Sequence, residues 1–174
     1  MKEILMSIQP KWCELIAKGK KTVEVRKTRP KLETPFKVYI YETKGYDTLF
    51  GKGKPKKLCV SGGKVIGEFV CDEIFPIRVF ENGSIQNYNY YDMEHSCVSY
   101  DDISAYIGKG RTGYGWHISD LVIYDEPKEL SEFSRHDNSY NNAFGWAFED
   151  RAKSTPITRP PQSWCYVERS YNNV

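Results

Sequence analysis

Hydrophobic positions come in short bursts along this chain, and their spacing changes from one burst to the next. Residues 3–8 (EILMSI) form an apolar run of strand length. Pro10 follows, at a place where a helix tolerates a missing N–H. Trp12, Leu15 and Ile16 then recur at i, i+3 and i+4. That spacing predicts a two-turn helix with one apolar face, stopped by Gly19. Thr22 to Arg26 alternates instead, so it reads as a strand. Val23 and Val25 share one face; Thr22, Glu24 and Arg26 share the other.

Further strands are expected at 36–41, at 64–74 with Gly67 as a bulge or close-approach point, at 114–124 before Pro127, and at 163–168. Asn82-Gly83, between Ile77–Phe80 and Ile85–Tyr90, predicts a two-residue hairpin turn. Ser99 is placed to cap a helix through Asp101, Asp102, Ile103, Tyr106 and Ile107, which Gly108 ends. Many short strands with a few flanking short helices describe an α+β, mainly β chain, read as a small β-barrel with helical caps.

With 174 residues the chain suits a single domain spanning 1–174. Two stretches read as loop insertions, near 44–63 and 133–161. The first holds Lys44, Lys52, Lys54, Lys56 and Lys57 among glycines and Pro55. The second is rich in Asn, Ser and Pro around Phe144, Trp146 and Phe148.

Composition narrows the class. Hydrophobic residues make up 40% and charged residues 28%, enough for a packed core and too apolar for wholesale disorder. No apolar run nears the roughly 18 residues a membrane span needs. The apolar part of the opening MKEILMSI is too short for a secretory leader, so a cytoplasmic protein without a membrane partner is expected. The 5 cysteines are odd in number and contain no Cys-x-x-Cys pair, which speaks against a disulfide scaffold or a zinc ribbon. His95, His117 and His136 are well separated and show no metal-ligand spacing. Neither a metal nor a cofactor is expected.

The net charge of +2 conceals a split: residues 1–64 carry a net +10 and residues 65–174 a net −8. A concentrated positive face suits a polyanionic partner. Within it, Gly19-Lys20-Lys21-Thr22-Val23-Glu24-Val25-Arg26 combines a helix end, a turn and a strand with a polar face. Lys20 and Lys21 offer point charges to phosphates, and Arg26 offers a planar fork to a phosphate or a base edge. Glu24 can hold Arg26 in place. An ordinary surface Glu–Arg pair on a half-exposed strand fits the same residues equally well. Gly108-Lys109-Gly110-Arg111-Thr112-Gly113 lacks the spacing of a phosphate loop and reads as a basic turn. Among the aromatics, Trp12, Tyr39, Tyr41, Trp164 and Tyr166 are candidates for core packing or for a base-stacking cleft.

The ordered set Ser7-Ile8-Gln9-Pro10, Ile16, Gly19, Lys21, Glu24 and Arg26 resembles the opening of ASCH domains of the PUA-like superfamily. Later matches are Val38–Thr43, Gly63–Phe69, Ile118-Ser119-Asp120 with Asp125-Glu126-Pro127 and Leu130, and Arg159–Val167. The closing segment is similar to a prophage and Firmicutes-type subgroup. The resemblance implies a five- or six-stranded PUA-like barrel and a cleft beside the first helix that binds RNA or a modified nucleotide. It places the Gly-x-Lys-x-x-Glu-x-Arg residues at that cleft and does not cover the two long loops. A binding module would use Lys20, Lys21, Glu24 and Arg26 there, the loop lysines Lys52, Lys54, Lys56 and Lys57 would add phosphate contacts, and Tyr41 and Trp164 are candidates to line the cleft.

One branch of the family removes an acetyl group from N4-acetylcytidine, with a Lys and a Thr three residues apart after the Gly. Here Lys21 matches the Lys, but Glu24 stands in the Thr place, which argues against that activity. An alternative is a nucleoside- or RNA-processing hydrolase with Lys21 and Glu24 as an acid–base pair. A protein-interaction or regulatory module is a third reading. The identity of the ligand and the oligomeric state stay open.

Overall fold

A computed structural model describes residues 2–49, 56–86, 93–136 and 154–169. The chain is mainly β with two α-helices among the described residues. The elements begin with strand β1 (Glu3–Ile8), helix α1 (Pro10–Ala17), β2 (Val23–Arg26), β3 (Phe36–Glu42), β4 (Gly45–Leu49), β5 (Lys56–Ser61), β6 (Val65–Cys71), β7 (Ile74–Val79) and β8 (Ile85–Gln86). Then come helix α2 (Tyr100–Ile107), β9 (Thr112–His117), β10 (Ser119–Lys128), a 3-10 turn (Leu130–Glu132), β11 (Phe133–His136), β12 (Ser154–Pro156) and β13 (Trp164–Arg169). Among the described residues, no helix is long and apolar enough to cross a membrane.

The strands form a seven-stranded sheet in the order β10-β6-β3-β1-β13-β11-β12, a four-stranded sheet β2-β9-β7-β8, and the hairpin β4-β5. No ladder among these strands closes into a barrel, so the expected closed barrel is replaced by open sheets. Among the described strands only β1 and β3 pair in parallel, with α1 and β2 in the crossover between them. The two larger sheets are one bent ribbon. The β6–β10 pair runs directly into the β7–β9 pair, turning through Asp72-Glu73 on one side and His117-Ile118 on the other. At this corner His117 N–H donates to Glu73 O (3.0 Å), and the His117 ring lies 2.7 Å from the Asp72 carboxylate.

That corner corrects two expected strands. Residues 64–74 and 114–124 are each divided where the ribbon bends, and β10 continues past Pro127 to Lys128. Pro127 is tolerated because β10 is an edge strand, free of ladder demands on one side. The hairpin after β7 is also different. Phe80 N–H donates to Ser84 O (2.9 Å), leaving a three-residue loop, 81–83, rather than a two-residue turn. Residues 44–63, expected as a loop, contain the β4–β5 hairpin.

Among the described residues, three apolar clusters form the core. In β1 the side chains alternate. Ile4, Met6 and Ile8 pack with Cys13 and Ile16 of α1, and with Phe36, Phe69 and Trp116. Leu5 faces the other way, with Tyr39, Tyr41, Val65, Leu130, Phe133 and Val167. The third cluster lies under α2, where Ile103 and Ile107 meet Val23, Val25, Phe75 and Ile77. Helix α1 buries Cys13 and Ile16, while Trp12 is only partly buried against the same cluster, so its inward face is turned slightly from the expected stripe. Helix α2 is capped as read: the Ser99 side chain accepts from Asp102 N–H, and Gly108 ends it.

Gly67 marks the close approach expected of it. A Cβ there would sit 2.4 Å from Val122 O of the neighbouring strand, nearer than real Cβ atoms come.

Candidate functional site

Helix α1 ends at Gly19, whose φ of +67° is a conformation that favours glycine. The chain turns there: Lys20 and Lys21 N–H both donate to Leu15 O, at 2.9 and 3.1 Å. This turn delivers Lys21 to the start of β2. All four residues of β2 are buried. Val23 and Val25 fill the cluster under α2, so Glu24 and Arg26 are directed to the opposite face, as the alternation requires.

That face is not a half-exposed strand surface. Lys21 is 2% exposed, Glu24 6% and Arg26 7%, so each charge needs partners inside the protein. Glu24 supplies the centre. Its Oε2 lies 3.1 Å from Lys21 Nζ and its Oε1 lies 3.0 Å from Arg26 Nη2. Lys21 Nζ also donates to Val23 O (2.8 Å) and Ser96 O (2.6 Å), which commits all its donors. The Trp12 ring centroid lies 5.1 Å from the same ammonium. Arg26 Nη2 donates to Ser7 O (2.7 Å), and Nη1 reaches Ser163 Oγ at 3.4 Å. Ser7 Oγ in turn donates to Pro161 O (2.6 Å). The network thus ties α1, β1, β2, the 93–98 segment and the entry to β13.

Two buried donors in this region have no acceptor: Arg26 Nε and Trp116 Nε1. Each unpaired buried N–H costs about 1–3 kcal/mol, so such pairs are uncommon in a packed interior. Trp116 stands opposite Glu24 in the β2–β9 ladder, and Arg26 stands opposite Tyr114, so the two donors belong to one stretch of one ladder. Trp116 is fully buried, edge-on to Phe36 at 5.7 Å and tilted against Trp164 at 5.9 Å. Trp164 is only half-buried, and its own Nε1 donates to Thr28 Oγ1 (3.1 Å).

Cys13, near these charges, is not a reactive thiol. Burial and the charges of Glu42 and Glu24 push its pKa up, and its Sγ donates to Ile8 O at 3.6 Å. Burial also pushes Cys71 up to about 12. The four cysteines whose side chains are described are free.

A cleft of about 480 Å³ lies on the other face of the β1–β3 pair. Tyr41, Thr43, Lys44, Gly63, Leu130, Thr158 and Pro160 line it. Thr43 N–H donates to Ile8 O and Gly63 N–H to Glu42 O, both at 2.8 Å, which sets the cleft at the foot of the β4–β5 hairpin and beside the entry to α1. Lys44 on its wall and Arg159 next to its rim are exposed. Lys64 is paired with Glu129 at 2.9 Å.

The expected site residues therefore fall into separate places. Lys21, Glu24 and Arg26 are together but internal, and Lys20 is exposed at the turn. Tyr41 lines the cleft, and Trp164 covers Trp116. Lys56 and Lys57 lie on β5 without described side chains, and Lys52 and Lys54, like Phe144, Trp146 and Phe148, lie outside the described residues. Ser96 and Trp116 were not singled out from the sequence, and Ser7 and Ser163 entered only as parts of matched segments, with no role assigned. The available signals were slight: Ser163 precedes Trp164 in an aromatic strand, and Trp116 shares the strand pattern with other aromatics. Among the described residues, no group of three or more His, Cys, Asp or Glu side chains could hold a metal ion.

This chain, in which a short helix turns at Gly19 into a strand with Glu24 and Arg26 buried, matches a known family model. The ASCH domain model aligns with residues 6–129, more than half of the chain, and the protein belongs to that family. Similar solved structures come from Zymomonas mobilis. The ASCH protein of that organism shares 19% identity at a TM-score of 0.59, over 95% of this chain and 87% of that one. A serine mutant of it gives a TM-score of 0.60 at 19% identity, covering 95% and 88%. A tyrosine mutant gives 0.59 at 19%, covering 97% and 91%. At this identity the likeness speaks for the fold. No curated protein matches the chain.

Proposed function

We propose that this protein binds RNA, or a modified nucleotide, at the cleft beside the entry to α1, using the β4–β5 hairpin as a basic arm. ASCH domains are generally thought to bind RNA, which gives the partner class. The observation that carries the reading is the cleft itself. A tyrosine, two threonines and an exposed lysine line a cavity of about 480 Å³ at the foot of a hairpin region rich in lysine. Tyr41 supplies an aromatic wall, Thr43 and Thr158 supply hydroxyls, and Lys44 supplies a phosphate partner. Arg159 extends the positive rim.

A hydrolase using Lys21 and Glu24 finds less support. Lys21 Nζ already donates to three acceptors, which leaves it unsuited to take up a proton. Binding of a fluorescent single-stranded RNA and of tRNA, measured by anisotropy against salt, tests the proposal. Log affinity should fall linearly with log salt, with a slope of about −0.7 for each phosphate contacted. A flat plot, or no binding at low salt, overturns it.

A further inference from the structure

Several lysines of this chain are matched with carboxylates: Lys18 with Glu14, Lys37 with Glu68 and Lys64 with Glu129. The stretch between β2 and β3 departs from that. It carries Lys27, Arg29 and Lys31 at every second position, all of them exposed. The residues between turn inward: Pro30 is buried, and Leu32 packs against the cluster around Ile4 and Trp116. Two hydrogen bonds tie the stretch to β13. Trp164 Nε1 donates to Thr28 Oγ1 (3.1 Å), and Lys31 N–H donates to Tyr166 Oη (2.8 Å). Lys2 joins the group, its ammonium 5.7 Å from the Tyr166 ring centroid. Lys27 lies over the exposed Tyr106 ring of α2, 4.9 Å from its centroid.

Among the described residues, none of these four cations has a carboxylate within ion-pair distance. Glu33 is the one acid in residues 27–33. Glu3, beside Lys2 in the chain, is taken up by Tyr39 Oη (2.6 Å) on the other face of the sheet. The loop is therefore anchored by neutral and aromatic groups, and its charge is left for something outside the protein. Like charges gathered on one face repel one another and raise the local potential, which a polyanion relieves.

We propose that the β2–β3 loop is a second phosphate-contact surface, which receives an RNA strand as it leaves the cleft, so that the ligand is a polynucleotide and not a free nucleotide. The RNA reading of the cleft, on which this rests, supplies the partner class. Continuity between the two places supplies the path. Thr158 and Pro160 line the cleft, Arg159 between them is exposed, and the chain then reaches Trp164, which holds Thr28 of the loop. Residues 158–164 span at most about 20 Å. A mononucleotide in the cleft does not reach the loop, whereas a strand does. Lys2, Lys27 and Lys31 offer point charges and Arg29 a planar fork, which suits a row of phosphates. Because the loop is already tied down, a bound strand has little of it left to order.

Fluorescence anisotropy on the full chain, with a labelled uridine dinucleotide and a labelled oligouridylate of about twelve nucleotides, tests this. The long strand should bind about tenfold or more tightly than the short one. In a Lys27→Ala/Arg29→Ala/Lys31→Ala variant, the long strand should lose about tenfold to a hundredfold in affinity at about 0.1 M salt. Its log–log salt slope should become shallower by about 2, as three lost phosphate contacts require, and dinucleotide binding should not change. A Lys27→Arg/Arg29→Lys/Lys31→Arg variant keeps the charges and should restore both values. Equal affinity for the two lengths, or an unchanged slope in the alanine variant, overturns the loop surface and leaves the cleft standing. No binding of either length by the unaltered chain overturns both. A long strand that responds to the loop variant but not to Lys44→Ala upholds the loop surface and overturns the cleft reading. Poly-aspartate that competes as well as RNA of equal length overturns the assignment to phosphate and makes the loop a dock for an acidic protein segment.

Discussion

Two sets of cations in this molecule have the same chemistry and opposite circumstances. Lys21 and Arg26 are sealed inside, where Glu24, two backbone carbonyls and the Ser7 carbonyl take up most of their donors. Lys44 and Arg159 are exposed at a cleft. The difference teaches that a basic segment is not one functional unit. Burial forces a charge to spend its hydrogen bonds on the protein, since desolvation must be compensated on the spot. Exposure leaves a charge available to a polyanion and worth little to folding. The motif that dominates the sequence therefore reads mainly as framework, with Arg26 Nε left without an acceptor, while the less distinctive residues around Tyr41 line the cleft proposed for binding.

The comparison breaks most sharply at Glu24. Replacing it by Ala strands two buried cations, and urea unfolding should show a loss of about 3–5 kcal/mol. A loss near that of a surface substitution would mean the network is solvated after all. Lys44→Ala should do the reverse. RNA affinity should fall by about threefold to tenfold in anisotropy titrations, while stability stays within about 0.5 kcal/mol. Raising salt should separate the two regions again. Affinity should drop steeply from low to physiological ionic strength, whereas the urea midpoint should move little, because buried pairs are poorly screened.

The smallest effect concerns an intermediate case, Glu68. Burial alone would raise its carboxyl, but hydrogen bonds from Lys37 and Tyr124 and the charges of Lys37 and Lys128 outweigh this and hold it below its ordinary value. A carboxylate held low in the folded state stabilises the protein fully above the unfolded value. That contribution is lost as pH falls through the folded value. Stability should therefore decline below about pH 4, and Glu68→Gln should flatten that decline in urea midpoints taken across the acid range.

Much of the local structure was readable because it is decided locally. Ser99 and Gly108 bound α2 through groups within a turn of the helix. Gly19 stops α1, and the alternation in Val23–Arg26 assigns each side chain to its face. What escaped was decided at a distance. Periodicity runs unbroken through Ile118, so nothing local announced the bend that divides β9 from β10. The Lys21 ammonium finds Ser96 O, 75 residues away, and no spacing rule forecasts that partner. Trp116 looked like any strand aromatic. Its significance lies in an N–H left without an acceptor, which is a property of packing. The Asn82-Gly83 pair did signal a hairpin, but the Phe80–Ser84 hydrogen bond set the loop one residue longer.

The reach of the Arg26 contacts has a bearing on how the molecule is made. Arg26 and Ser163 are 137 residues apart, and Trp116 of β9 leans on Trp164 of β13, the residue after Ser163. Neither contact can form until β13 has been synthesised and has paired with β1. The parallel β1–β3 pairing and the long-range ladders mark a chain whose ordering is slow, because loop closure precedes the reward of contact. During refolding, helix signals should return early and the Trp116–Trp164 environment should return with the slowest phase. The junction between β9 and β13 is then the last part of the core to close, a built-in sign that folding has been completed.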